Sequence, residues 1–177
     1  MHETNVYGVC YFGARFTAYA KNLSDSGAAV WFILPDEGLT PQDLLEDAEL
    51  QAFLISPENV AGKERIVRFS VPRFDISETL DLKELLQELG VRQAWKMYEA
   101  DFSGFSDEEA YLSEARQGAR IILEEKGVKA AAYINTTITL ASMPDAERIN
   151  FTLDRPFLFV LRSRDNLPIL AGVVNQP

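Results

Sequence analysis

The chain has 177 residues, of which 47% are apolar and 25% charged, and its net charge is −10. That length predicts one domain, or one part of a larger one, with enough chain to bury a core. The acidity argues against nucleic-acid and anionic-membrane partners, which need a basic face; one histidine, His2, and one cysteine, Cys10, leave almost no material for a histidine triad, a zinc centre or an internal disulfide.

Cys10 is expected to be a buried structural thiol. No apolar run reaches about 18 residues, so no membrane-spanning helix is predicted. Met1-His2-Glu3-Thr4 does not read as a signal peptide. In residues 11–20 aromatic and small residues alternate with polar ones, which predicts a strand. Turn chemistry follows at residues 22–27. Residues 28–34 are continuously apolar, the pattern of a strand buried on both faces, and Pro35-Asp36-Glu37-Gly38 ends it as a turn. Thr40-Pro41-Gln42-Asp43 predicts a helix start, with Thr40 as N-cap and Pro41 at the first helical position; Leu44, Leu45, Ala48 and Phe53 form its apolar stripe.

Residues 63–76 read as a long strand run broken at Pro72, which predicts a bend or a change of sheet. Residues 81–90 make a short amphipathic helix closed by Gly90, residues 91–97 a second helical turn, residues 101–109 a loop and residues 111–123 a strand. Trp31 and Trp95 read as core. Residues 149–152, 155–161 and 167–174 are predicted strands, the last two joined into a hairpin by Ser163-Arg164-Asp165-Asn166. Sequons at Asn22, Asn135 and Asn150 are short enough to arise by chance.

The most unusual order of residues begins at Glu124-Glu125-Lys126-Gly127. A charged turn leads into Val128, Lys129, Ala130, Ala131 and Ala132, and then into a polar stretch patterned like a strand. The even positions read Val128, Ala130, Ala132, Ile134, Thr136, Ile138; the odd ones read Lys129, Ala131, Tyr133, Asn135, Thr137, Thr139. One face is small or apolar and the other mostly polar, the period-2 signature of a half-buried strand. The pattern fits a segment that is a loop in one state and a strand in another. The plainer alternatives are a permanent strand or an alanine-rich helical turn.

Five blocks then stand in order: Leu34-Pro35-Asp36-Glu37-Gly38; Val71-Pro72-Arg73-Phe74-Asp75-Ile76 with Leu82-Lys83 and Leu89-Gly90; Ala100-Asp101-Phe102-Ser103-Gly104; Glu124 through Ala132; and Arg155-Pro156-Phe157-Leu158-Phe159. On these motifs the chain resembles the carboxy-terminal half of a serpin, a serine protease inhibitor. The resemblance implies an α+β fold of mostly antiparallel β-sheets with a few short helices. It implies a partial serpin domain over residues 1–177, with the hinge and reactive-centre loop at about 124–148.

The family's mechanism would follow. A protease attacks the loop as substrate and forms an acyl-enzyme, and the cleaved loop enters a sheet as a new strand. Such a protein is an inhibitor and not an enzyme, and it needs no cofactor. The resemblance assigns Glu125, Gly127, Val128, Ala130, Ala131 and Ala132 to the hinge, with Gly127 at the swivel. Counted along the family's usual spacing, the reactive bond falls between Ala141 and Ser142, flanked by the recognition residues Ile138, Thr139, Leu140 and Met143. Small and apolar residues there imply an elastase- or subtilisin-like serine protease as partner. Glu125 is expected to pair with Arg73, and Gln117 stands where the family usually has a gating histidine. Val128 and Tyr133 depart from the family's hinge, which usually has Thr or Ser and a small residue there. The resemblance starts partway into the fold at Met1, so this chain alone is expected to be a fragment that does not inhibit. Its exposed strand edges would favour a homo-oligomer. A non-inhibitory binding or carrier protein on the same fold is the alternative, and family resemblance implies an extracellular or secreted protein.

Overall fold

The computed structural model describes residues 1–23, 26–124, 127–128 and 146–177. Its strands are β1 (His2–Phe12), β2 (Phe16–Asn22), β3 (Ala29–Pro35), β4 (Gly62–Ser70), β5 (Phe74–Asp81), β6 (Arg116–Glu124), β7 (Gly127–Val128), β8 (Arg148–Thr152), β9 (Phe157–Arg162) and β10 (Pro168–Val174). Its helices are α1 (Pro41–Leu45), α2 (Ala48–Ile55) and α3 (Lys83–Glu88), with single 3₁₀ turns at Pro57–Asn59 and Gln93–Trp95. This is the expected α+β architecture of mainly antiparallel sheet and a few short helices. One sheet has seven strands in the order β10-β9-β3-β2-β1-β4-β8, and another has three in the order β5-β6-β7.

The chain divides into two compact units, Met1–Phe74 with Ile122–Pro177 and Asp75–Ile121. The first holds the seven-stranded sheet, and its sequence explains why both faces are buried. Phe16 and Ala18 on β2, Ile33 on β3 and Leu158 and Val160 on β9 share one face and pack with Leu44 of α1, Leu50 and Phe53 of α2 and Val60. The residues between them point the other way. Tyr19, Phe32, Phe69, Phe151 and Phe157 make an aromatic chain on that face, with ring centroids 5.3 to 6.2 Å apart. Gly172 on β10 stands opposite Phe159 of β9, and a Cβ there would lie 2.6 Å from the Phe159 ring.

Local chemistry ends the elements where expected. Thr40 caps α1: its hydroxyl accepts from the Asp43 amide at 3.4 Å while the Asp43 carboxylate accepts from the Thr40 amide at 2.8 Å. Gly90, after α3, has φ +98°, a conformation that favours glycine. Pro72 separates β4 from β5, and the two strands belong to different sheets.

Several expectations need correction. Residues 11–20 do not form one strand: Gly13 donates to the Phe16 carbonyl at 2.9 Å and turns the chain between β1 and β2. The first helix splits at Asp47, whose carboxylate accepts from the Glu49 and Leu50 amides and starts α2. The apolar stripe therefore uses Leu50, while Leu45 is exposed. The strand expected from residue 111 begins at Arg116, because the Leu112 amide donates instead to the distant Ala94 carbonyl at 2.8 Å. The turn near Trp95 is 3₁₀. Trp31 and Trp95 are half-buried rather than enclosed. Trp31 packs against Phe53 at 5.4 Å, and Lys83 lies 5.4 Å over the Trp95 ring.

Candidate functional site

The segment singled out by its pattern is bounded by two described flanks. On the amino side, the end of β6 alternates: Ile121 and Leu123 are buried while Arg120 is exposed, and nearer its start Gln117 is exposed too. Within the second unit, Arg120 holds Asp75 of β5 through two bonds, Nε to Oδ1 at 2.9 Å and Nη2 to Oδ2 at 2.7 Å. That bidentate bond keeps the Asp75 carboxyl below its ordinary pKa and pushes Arg120 up. β7 pairs antiparallel with the end of β6, Glu124 opposite Gly127 and Leu123 opposite Val128.

On the carboxy side, β8 lies parallel to β4, with Ile66 opposite Arg148 and Ser70 opposite Thr152. The Ile66 amide donates to the Glu147 carbonyl at 3.0 Å. Arg65 reaches the Glu147 carboxylate from Nη2 at 3.0 Å. Its guanidinium also donates from Nη1 to the Glu64 carbonyl at 2.9 Å and lies 5.5 Å over the Phe12 ring.

The structure thus places some of the predicted site residues. Gly127 and Val128 form β7, Gln117 is exposed on β6, and Arg73 is exposed in the link between β4 and β5. Glu125, Ala130, Ala131, Ala132, Tyr133, Ile138, Thr139, Leu140, Ala141, Ser142 and Met143 lie outside the described residues, and so does the expected Arg73–Glu125 pair. Sequence reasoning missed Arg65, Glu147 and Phe12. They come together only through the β1-β4-β8 ladder, so no local spacing marks them.

Cys10 is fully buried, and burial pushes its thiol up to about 11, so the reactive thiolate is scarce at neutral pH. Among the described residues no group of three or more His, Cys, Asp or Glu side chains is placed to hold a metal ion.

The first and last of the five blocks touch. Arg155 donates from Nε and Nη2 to the Pro35 carbonyl at 3.1 and 3.0 Å, which ties the start of β9 to the end of β3. A family model described as serpin (serine protease inhibitor) matches residues 1–177. The chain is 33% identical over 164 residues to probable serpin E3 of Danio rerio, covering 91% of this chain and 38% of that protein. It is 34% identical over 145 residues to leukocyte elastase inhibitor of Equus caballus, covering 78% of this chain and 37% of that protein. The native-state structure of the thermophilic serpin tengpin superposes with a TM-score of 0.73 at 29% identity, over 97% of this chain and 45% of that one. Thyroxine-binding globulin in complex with thyroxine gives a TM-score of 0.70 at 28% identity, over 98% of this chain and 44% of that one. The chain spans about two fifths of the length of the curated relatives it matches.

Proposed function

This chain belongs to the serpin family, and we propose that it carries the protease-recognition end of a serpin-type serine protease inhibitor. The observation that carries this reading is β7. Gly127 and Val128 make two antiparallel pairings with the end of β6. The next residues alternate from Val128 to Thr139 in the period of a strand. A strand continued in that direction would lengthen the β5-β6-β7 sheet by the family's insertion step.

In this reading Glu125, Gly127, Val128 and Ala130 to Ala132 are the hinge. Ala141–Ser142 is the reactive bond, with Ile138, Thr139, Leu140 and Met143 as its flanks. Arg73 supports Glu125, and Gln117 lies on the gating strand. The partner is a serine protease with a small or apolar pocket, elastase- or subtilisin-like, in keeping with the relative named for leukocyte elastase. The activity belongs to a protein that contains the whole serpin fold; this chain by itself is cut without trapping the protease, and it associates with copies of itself through open strand edges. Family resemblance favours a secreted protein, which an immunoblot of culture medium against cell lysate checks.

The test is incubation of the full-length protein with elastase. A covalent complex that survives denaturing electrophoresis is expected, with the new amino terminus at Ser142. Clean cleavage with no complex removes inhibition and favours the second reading, a non-inhibitory binding or carrier protein. That reading draws on the likeness to thyroxine-binding globulin and on Val128 and Tyr133 in the hinge.

A further inference from the structure

We propose that Arg65 and Glu147 are a positioning pair that fixes where the recognition loop rejoins the seven-stranded sheet. This rests on the reading that the loop ends just before β8. The pair stands at the first rung of that strand: the Glu147 carbonyl accepts from Ile66 at 3.0 Å, and its carboxylate accepts from Arg65 at 3.0 Å.

The strand it secures is held mainly by one buried face, with Phe151 and Leu153 inside. β8 has five residues, lies at the edge of the sheet, and pairs in parallel with β4. Parallel pairing is slightly less stable per residue than antiparallel pairing. Register matters because Phe151 is buried, stacked on Phe69 at 6.2 Å and beside Tyr19 at 5.9 Å, while Asn150 and Thr152 are exposed. A slip of one residue would put Phe151 in water.

Arg65 is suited to set that register because it is held before Glu147 arrives. Its side chain is 16% exposed against 70% for Glu147. The Phe12 ring and the Glu64 carbonyl fix its plane. The usual entropic cost of a surface ion pair, ordering two long side chains, falls mainly on one partner here.

The test uses Arg148, the first residue of β8, as a reporter. Trypsin cuts after Arg148 only when β8 leaves β4. Rates for chains with Glu147→Gln are divided by that of a peptide covering residues 144–152 with that substitution, and all others by the unsubstituted peptide, which removes any direct effect of Glu147 on trypsin. Glu147→Gln and Arg65→Met are each expected to raise the normalised rate about two- to fivefold, the range for such a pair. The double variant should be no faster than either, and Arg65→Lys should restore most of the protection. Amide exchange at Phe151 should rise in step, while cutting after Lys126 and Lys129 should not change. Unchanged rates in both single variants, or additive effects in the double, would overturn the pairing. A full-length protein that gives no elastase complex but shows these trypsin changes removes the inhibitor reading and leaves the pairing intact.

Discussion

Arg162 shows what a single residue contributes. It is the one buried charged side chain recorded among the described residues, and its partners are carbonyl oxygens. Nη1 donates to the Asn166 backbone and side-chain oxygens at 2.9 and 3.2 Å, and Nη2 donates to the Leu54 carbonyl near the end of α2. Burial pushes its pKa down, yet a guanidinium stays charged in proteins. The negative end of α2 is a favourable place for that charge. Arg162→Met keeps most of the volume but leaves those oxygens without a donor. We expect a loss of about 2 kcal/mol, read as a lower urea midpoint with an unchanged slope. None of this is legible in the sequence, where Arg162 is merely the residue before a turn. Its role depends on Leu54, brought close only by the sheet.

At the scale of elements, the sequence was most informative where the deciding chemistry is local. Thr40, Pro41 and Asp43 lie within one helical turn, so the capped start of α1 could be read directly. Asp47 was missed because the run from Leu44 to Phe53 reads as one apolar stripe, although an aspartate ahead of Glu49 is an equally good N-cap. The amide of Leu50 is the largest cause holding the Asp47 carboxyl below its ordinary pKa, and the Thr40 hydroxyl does the same for Asp43. A depressed carboxyl stabilises the fold above its unfolded value of about 4, and that contribution is lost as the pH falls through the folded value. α1 and α2 should therefore loosen below about pH 4. Asp47→Ala should cost about 1 kcal/mol at neutral pH and flatten that acid loss, while Asp47→Asn should keep most of the stability. Chemical denaturation at neutral and acid pH checks both.

At the scale of the molecule, the two units differ in how much they bury. Almost all the buried apolar residues belong to the first unit; in the second only Ile121 is buried, while Tyr98 and Phe105 are 84% and 91% exposed. Pro72 made the change of sheet legible in advance, but not this difference in burial. The outer edges of β8 and β10 are unpaired among the described residues, and Leu167 and Ile169 beside the β10 edge are exposed. Edges of this kind recruit further strands. We expect light scattering of the purified chain to give a mass above that of one copy; a sharp single-chain mass would remove the proposed self-association.

The strand order has one more consequence. All three strands after residue 145 belong to the same sheet, but not to the same part of it. β8 closes one edge, and β9 and β10 close the other, with Phe157, Leu158, Phe159 and Val160 buried beside β3. The carboxy-terminal piece therefore works as a clasp that grips both margins of the sheet. A cut anywhere in residues 129–145 would make two polypeptides and still leave one particle, because neither can depart without opening both margins. Scission here would change how the molecule is connected without changing what it is composed of.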